Sequence, residues 1–232
     1  MNFERPLIQG ELLRRYKRFL ADVELPDGRV VTAHCANPGA MTGLADQGAK
    51  VWLEPNDDPK RKLKFSWKLV ETETGFACVD TAAANKVVAE ALAADRLPSL
   101  TGYDHIRAEV PYGTNSRVDF LLTGAGKPDC YVEVKSVTLC RGGSLAEFPD
   151  TVTKRGAKHQ AELAEVAKAS NRAVLLYLVM RTDCATVSIA ADIDPEYAAA
   201  SRKAVAMGVE IHAYATYIDA KAVQTSTQVP FR

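Results

Sequence analysis

Three charged residues stand inside two apolar runs of this chain. Asp119 interrupts "SRVDFLL", and Glu133 and Lys135 interrupt "CYVEVKSVTL". Side chains alternate between the two faces of a strand. Val118, Phe120 and Leu122 therefore share one face and Asp119 takes the other. In the next run Val132 and Val134 share a face, while Glu133 and Lys135 point the opposite way together. Positions 119 and 133 are symmetric about residue 126, inside the Gly/Pro loop "TGAGKP". A regular hairpin turning there sets Asp119 across from Glu133, with their Cβ atoms about 5 Å apart. Two bare carboxylates that close repel, and one would hold a proton. A divalent cation removes the conflict, and oxygen ligands without soft neighbours suit Mg²⁺ or Mn²⁺. Lys135 then lies about 6–7 Å further along the same face, placed to hold a water or offset charge on a phosphate. An exposed cross-strand ion network is the plainer alternative.

This arrangement resembles the PD-(D/E)xK nuclease superfamily: an acid on one strand, then Glu133-x-Lys135 on the next. Pro128-Asp129 matches the motif's letters, but Asp129 is about 13 Å of strand away from Glu133, and Asp119 is preceded by Val118, not proline. The resemblance implies that Asp119, Glu133 and the Val134 carbonyl bind metal and that Lys135 assists the attacking water. It also implies an acid from the first helix and a polar residue from the second. Glu90 in "NKVVAEAL" and Gln160 or Lys158 in "GAKHQAEL" are the matching positions.

Elements must position these groups. Up to about residue 82 the signals are strands and turns. "PLIQGELLRRYKRFLADVEL" reads as extended, bent chain, followed by a "PDG" turn and the strand "RVVTAHC". Five or six short strands in about eighty residues suggest a small closed barrel such as an OB-fold. "TAAANKVVAEALAADRL" is helical, with Pro98 just beyond. Three strands follow, then a loop, the helix "AKHQAELAEVAKAS" and the apolar run "RAVLLYLVM", a central strand buried on both faces. "DIDPEYAAASRKAVAMG" has Asp194 as N-cap, Pro195 at the first helical position and Gly208 as stop. "VEIHAYA" is the last strand. The expected architecture is a two-domain α+β / α/β chain: residues 1–82 an OB-fold-like nucleic-acid-binding barrel, residues 83–232 a nuclease-like α-β-β-β-α-β core.

The strings "VTAHCANPGAMTGL", "PKRKLKFSWKLVE", "GTNSRVDFLL", "FPDTVTKRGAKH" and "DIDPEYA" are similar to the sugar fermentation stimulation protein A family. The similarity runs over essentially the whole chain. It implies an N-terminal OB-fold, a C-terminal PD-(D/E)xK-like domain, DNA as partner and a regulatory link to sugar (maltose) metabolism.

Composition narrows the rest. The 232 residues carry zero formal net charge, with 25% charged and 47% apolar, so no global basic field announces nucleic acid. Local runs do. "RRYKRF" interleaves Arg14, Arg15, Lys17 and Arg18 with Tyr16 and Phe19. "KRKLKFSWK" sets Lys62 and Lys64 around Phe65 and Trp67. Basic residues with aromatics are what single strands take from an OB barrel. Solvated strand faces over buried rings are the competing reading. Near the acids, Arg117, Arg141, Lys154 and Arg155 are phosphate-contact candidates. "HCANPGAM" presents either Asn37 and backbone N–H groups to a phosphate or a barrel corner, and His34 reads as packed. Five cysteines without a Cys-x-x-Cys pair argue against a disulfide framework or zinc site and for reduced, mostly buried thiols. No run reaches membrane-spanning length, and the first twenty residues lack a signal peptide's apolar core. The expectation is a cytoplasmic DNA-binding protein, for single- or double-stranded DNA, with self-association left open. Its site is that of a metal-dependent DNA endonuclease or exonuclease. A silent DNA-binding regulator on the same scaffold, or a sugar-pathway enzyme or sugar binder, are the alternatives.

Overall fold

The computed structural model describes residues 1–232. Six strands come first: β1 (Ile8–Tyr16), β2 (Leu20–Glu24), β3 (Val30–Cys35), β4 (Lys50–Pro55), β5 (Phe65–Thr72) and β6 (Gly75–Cys78). They hydrogen-bond in the order β3-β2-β1-β4-β5-β6, and a parallel pairing of β3 with β5 closes the first five into an OB-like barrel. The segment expected to be extended, bent chain is a hairpin. Lys17 and Arg18 take left-handed φ of 47° and 65° between β1 and β2, a turn the sequence conceals because neither is glycine. Inside the barrel lie Leu12, Val23, Leu53, Met41 and Trp67. Trp67 is fully buried, and its indole N–H donates to the Leu69 carbonyl.

The second half begins with α1 (Thr81–Ala93) and continues β7 (His105–Tyr112), β8 (Ser116–Thr123), β9 (Cys130–Val137), β10 (Leu145–Phe148), α2 (Lys154–Lys168), β11 (Arg172–Val179), β12 (Thr186–Ile189), α3 (Pro195–Ala206), β13 (Glu210–Ile218) and β14 (Val223–Gln228). The large sheet runs β14-β13-β11-β9-β8-β7, with β7, β8 and β9 an antiparallel meander and β9, β11 and β13 parallel. The expected helix-strand order is present. Beyond it lie β14 and a two-stranded parallel sheet of β10 and β12, both too short and polar to stand out by periodicity.

The sheet is a middle layer. Val174, Leu176 and Leu178 of β11 pack with Ala84, Val87, Val88 and Leu92 of α1. Ala173, Leu175, Tyr177 and Val179 pack with Leu163 of α2 and Ala204 of α3 on the other face. Every β11 residue after Arg172 is buried, as an uninterrupted apolar strand requires. Each buried Val or Leu contributes about 1.5–3 kcal/mol, so the sheet is a rigid base for polar groups. The helix ends follow their sequence signals. Asp194 caps α3 through the Tyr197 N–H, Pro195 opens it, and Gly208 follows at φ 96°. No helix is long and apolar enough to cross a membrane. All five cysteines are free, and four are buried.

Candidate functional site

The β8–β9 register places the acids. Phe120 faces Val132, Leu121 faces Tyr131 and Leu122 faces Cys130. One step further along the same register Asp119 stands across from Glu133. Both open into a cleft of about 570 Å³ between the barrel and the α/β half. Arg18, Asn37, Pro38 and Gly39 line it from the barrel, and Asn85, Lys135, Asp150, Arg155 and His159 from the other half.

Asp119 accepts from the Val134 N–H at 2.7 Å and from the Asn85 side-chain amide at 2.7 Å. Burial, then the charge of Glu133, raises its pKa above the ordinary value against these donors. Glu133 is 3% exposed. Its Oε1 accepts from Lys135 Nζ at 2.7 Å and meets His159 Nδ1. Burial pushes its pKa up, but the hydrogen bonds from His159 and Lys135 outweigh that and hold it below the ordinary value. Arg155 Nε–H donates to His159 Nε2 at 3.3 Å, which leaves Nδ1 to carry the ring proton toward Glu133. Glu133 Oε2 is buried with no hydrogen-bond partner. An orphaned carboxylate oxygen costs about 1–3 kcal/mol. An unpartnered carboxylate oxygen beside a second acid is the kind of hard donor set that suits Mg²⁺ or Mn²⁺.

Helix α1 enters the site through Asn85, not Glu90. The Glu90 carboxylate pairs with the Met1 amino group at 2.5 Å and is half exposed, so the implied first-helix acid lies elsewhere. Helix α2 enters through His159 and Arg155. Gln160, one residue on, is fully buried and does not line the cleft. Lys158 turns outward to the Thr114 carbonyl and Glu162. Asn85 and His159 were missed because a helix gives its facing residues only in register with the sheet beneath. "GAKHQ" held the signal for His159, a polar side chain that packing must bury.

The basic candidates divide by partner. Arg14 pairs with Asp22 at 2.8 Å. Arg15 donates to the Asn37, Gly39, Ala40 and Arg18 carbonyls and holds the corner loop. Arg141 is gripped by Glu147 and Asp192. Arg117 donates to the Glu109 carbonyl and Lys64 to the Asp58 carbonyl. Lys17, Lys62 and Lys154 are exposed without a carboxylate partner, as are Arg18 and Arg155, and of these five only Arg18 and Arg155 line the cleft. "HCANPGAM" is the barrel corner. Asn37 is buried and bonds to the Val79 carbonyl and the Gly39 N–H, and the Met41 N–H goes to Asp150, so these amides do not face a phosphate. Phe65 and Trp67 serve the barrel core. His34 is exposed, not packed.

An OB-like barrel joined to a mixed α/β unit, with paired acids in the cleft between them, defines a two-domain class. Comparison with known sequences gives the family: the chain belongs to the sugar fermentation stimulation protein family. Residues 13–79 match the SfsA N-terminal OB domain and residues 82–222 the Sugar fermentation stimulation protein RE domain. Sugar fermentation stimulation protein homologs of Ruegeria pomeroyi and Roseobacter denitrificans are 59% and 56% identical. The first match covers 97% of this chain and 98% of the relative, and the second covers both in full. A solved structure, Pyrococcus furiosus SfsA in complex with Ca²⁺, superposes with a TM-score of 0.90 at 25% identity, over 100% of this chain and 98% of that one.

Proposed function

We propose that this protein binds DNA in the interdomain cleft and carries there a metal-dependent phosphodiesterase site of the PD-(D/E)xK type. The observation that carries the reading is the pairing of Asp119 with Glu133 on neighbouring strands, with Oε2 of Glu133 unpartnered. The Ca²⁺ complex of the Pyrococcus furiosus relative supports a hard-cation site in this fold. Asp119, Glu133 and the Val134 carbonyl would hold Mg²⁺ or Mn²⁺, which supplies an activated water and charge neutralisation at the phosphate. Lys135, kept at Glu133 by its 2.7 Å bond, orients the water or offsets phosphate charge. His159 and Asn85 hold the two carboxylates in place.

Cleavage of single-stranded, duplex and branched DNA with Mg²⁺ or Mn²⁺ tests the reading. Asp119→Ala and Glu133→Ala each abolish cleavage and the metal-induced rise in melting temperature. Activity that survives either substitution ends the assignment. A silent DNA-binding regulator is the second reading, favoured by the way Lys135 and His159 already satisfy Glu133 Oε1. Salt-dependent binding without cleavage, across metals and substrates, would select it. A link to maltose metabolism rests on the family's name.

A further inference from the structure

Resting on the nucleic-acid reading above, we infer that the cleft takes a single strand, whose bases stack on Phe19 and His34 of the barrel before the backbone passes between Arg18 and Arg155. Phe19 is 43% exposed, and its ring stacks on the exposed His34 with centroids 6.5 Å apart and planes 26° apart. Exposed aromatic rings are the platforms on which the bases of a single strand stack. Phe19 directly follows Arg18, and His34 lies three residues before Asn37, both lining residues of the cleft. The stacked pair is thus joined through the chain to two residues that line the cleft.

Charge marks the same route. Arg18 projects from a turn held in left-handed backbone geometry, which a non-glycine residue adopts at some cost. It has no acidic partner, and neither does Arg155 on α2 across the cleft, whereas Arg14 and Arg141 are neutralised by carboxylates. Beyond Arg155 a hollow lined by Arg117, Lys158, Asn115 and Ser116, with Glu109 and Pro111 on its rim, continues from the cleft and gives the backbone an exit.

Depth favours a single strand: the cleft of about 570 Å³ is of small-ligand size, about 300–1,000 Å³, and its acids lie at the bottom. Glu133 and Lys135 are 3% and 9% exposed, and the Asp150–Met41 hydrogen bond ties one wall to the other. On this reading a flexible single strand reaches those groups more readily than a rigid double helix.

Fluorescence anisotropy tests this with a dye-labelled strand of about 12 nucleotides, its duplex, and the RNA of the same sequence, in Ca²⁺, with strand integrity checked on a gel. The single strand should bind at least tenfold more tightly than the duplex. Phe19→Ala, His34→Ala and Arg18→Ala should each weaken it by on the order of tenfold. Tyr217→Ala, which removes a ring 59% exposed on β13, should leave it unchanged, and melting curves check that every variant folds. Tighter binding of the RNA strand upholds the stacked route and moves the substrate class to RNA. Equal or tighter duplex binding, or variants without effect, overturns the inference while leaving metal-dependent cleavage intact. No binding to any nucleic acid overturns both.

Discussion

At the scale of single residues, the cleft depends on a few hydrogen bonds made where water is scarce. Glu133 keeps its charge in a buried position because Lys135 and His159 donate to one oxygen. His159→Ala deletes one donor and leaves the acid under-partnered. It should cost about 1–3 kcal/mol in urea denaturation, with a larger relative loss of any metal affinity than of stability. The three charged residues of the strands were legible from alternation and hairpin symmetry alone. Their partners were not. Glu90 is the first-helix acid that the superfamily resemblance implies, yet Asn85 occupies the position that reaches Asp119. Spacing on a helix names a stripe, and only contact with the sheet says which turn of that stripe sits over the site.

At the scale of elements, capping and ion pairing join the layers. The Asp194 carboxylate accepts from Tyr197 N–H to start α3 and from Thr153 N–H at the start of α2. Asp194→Ala should cost more than an ordinary N-cap, whose loss is about 0.5–2 kcal/mol, because two helix starts share it and it is buried. Glu210 holds Arg172 across the β11–β13 pair at 2.7 Å. The Arg172 hydrogen bonds lower its pKa from 4.5 to about 2. For a carboxyl with a depressed folded value, the stability it contributes is complete above the unfolded pKa and fades as pH falls toward the folded one. Between pH 4.5 and 2 the unfolding free energy of Glu210→Gln should fall less steeply than that of wild type, by at most one proton's slope. β11, α3 and their end signals were readable because apolar runs and Asp-Pro…Gly punctuation are local. The β1–β2 hairpin was not, since its turn is made by Lys17 and Arg18 against their backbone preference.

At the scale of the whole molecule, the barrel and the α/β half meet in a close joint. A Cβ on Gly39 would fall 2.1 Å from an oxygen of Asp150, the carboxylate that accepts the Met41 N–H. Gly39→Ala should displace Asp150 and lower the melting temperature by an amount worth about 1 kcal/mol. Asp150→Ala should do likewise, and the double variant should lose less than the sum because both remove one contact. Nothing in the sequence paired these two residues, 111 positions apart, since a long-range fit of backbone to carboxylate leaves no periodic trace. Barrels exchanged between relatives would carry this constraint with them. A hybrid should seat its two halves only if the donor barrel brings a bare α-carbon to meet the acceptor's acid, so the seam would be inherited as a matched couple and lost as one.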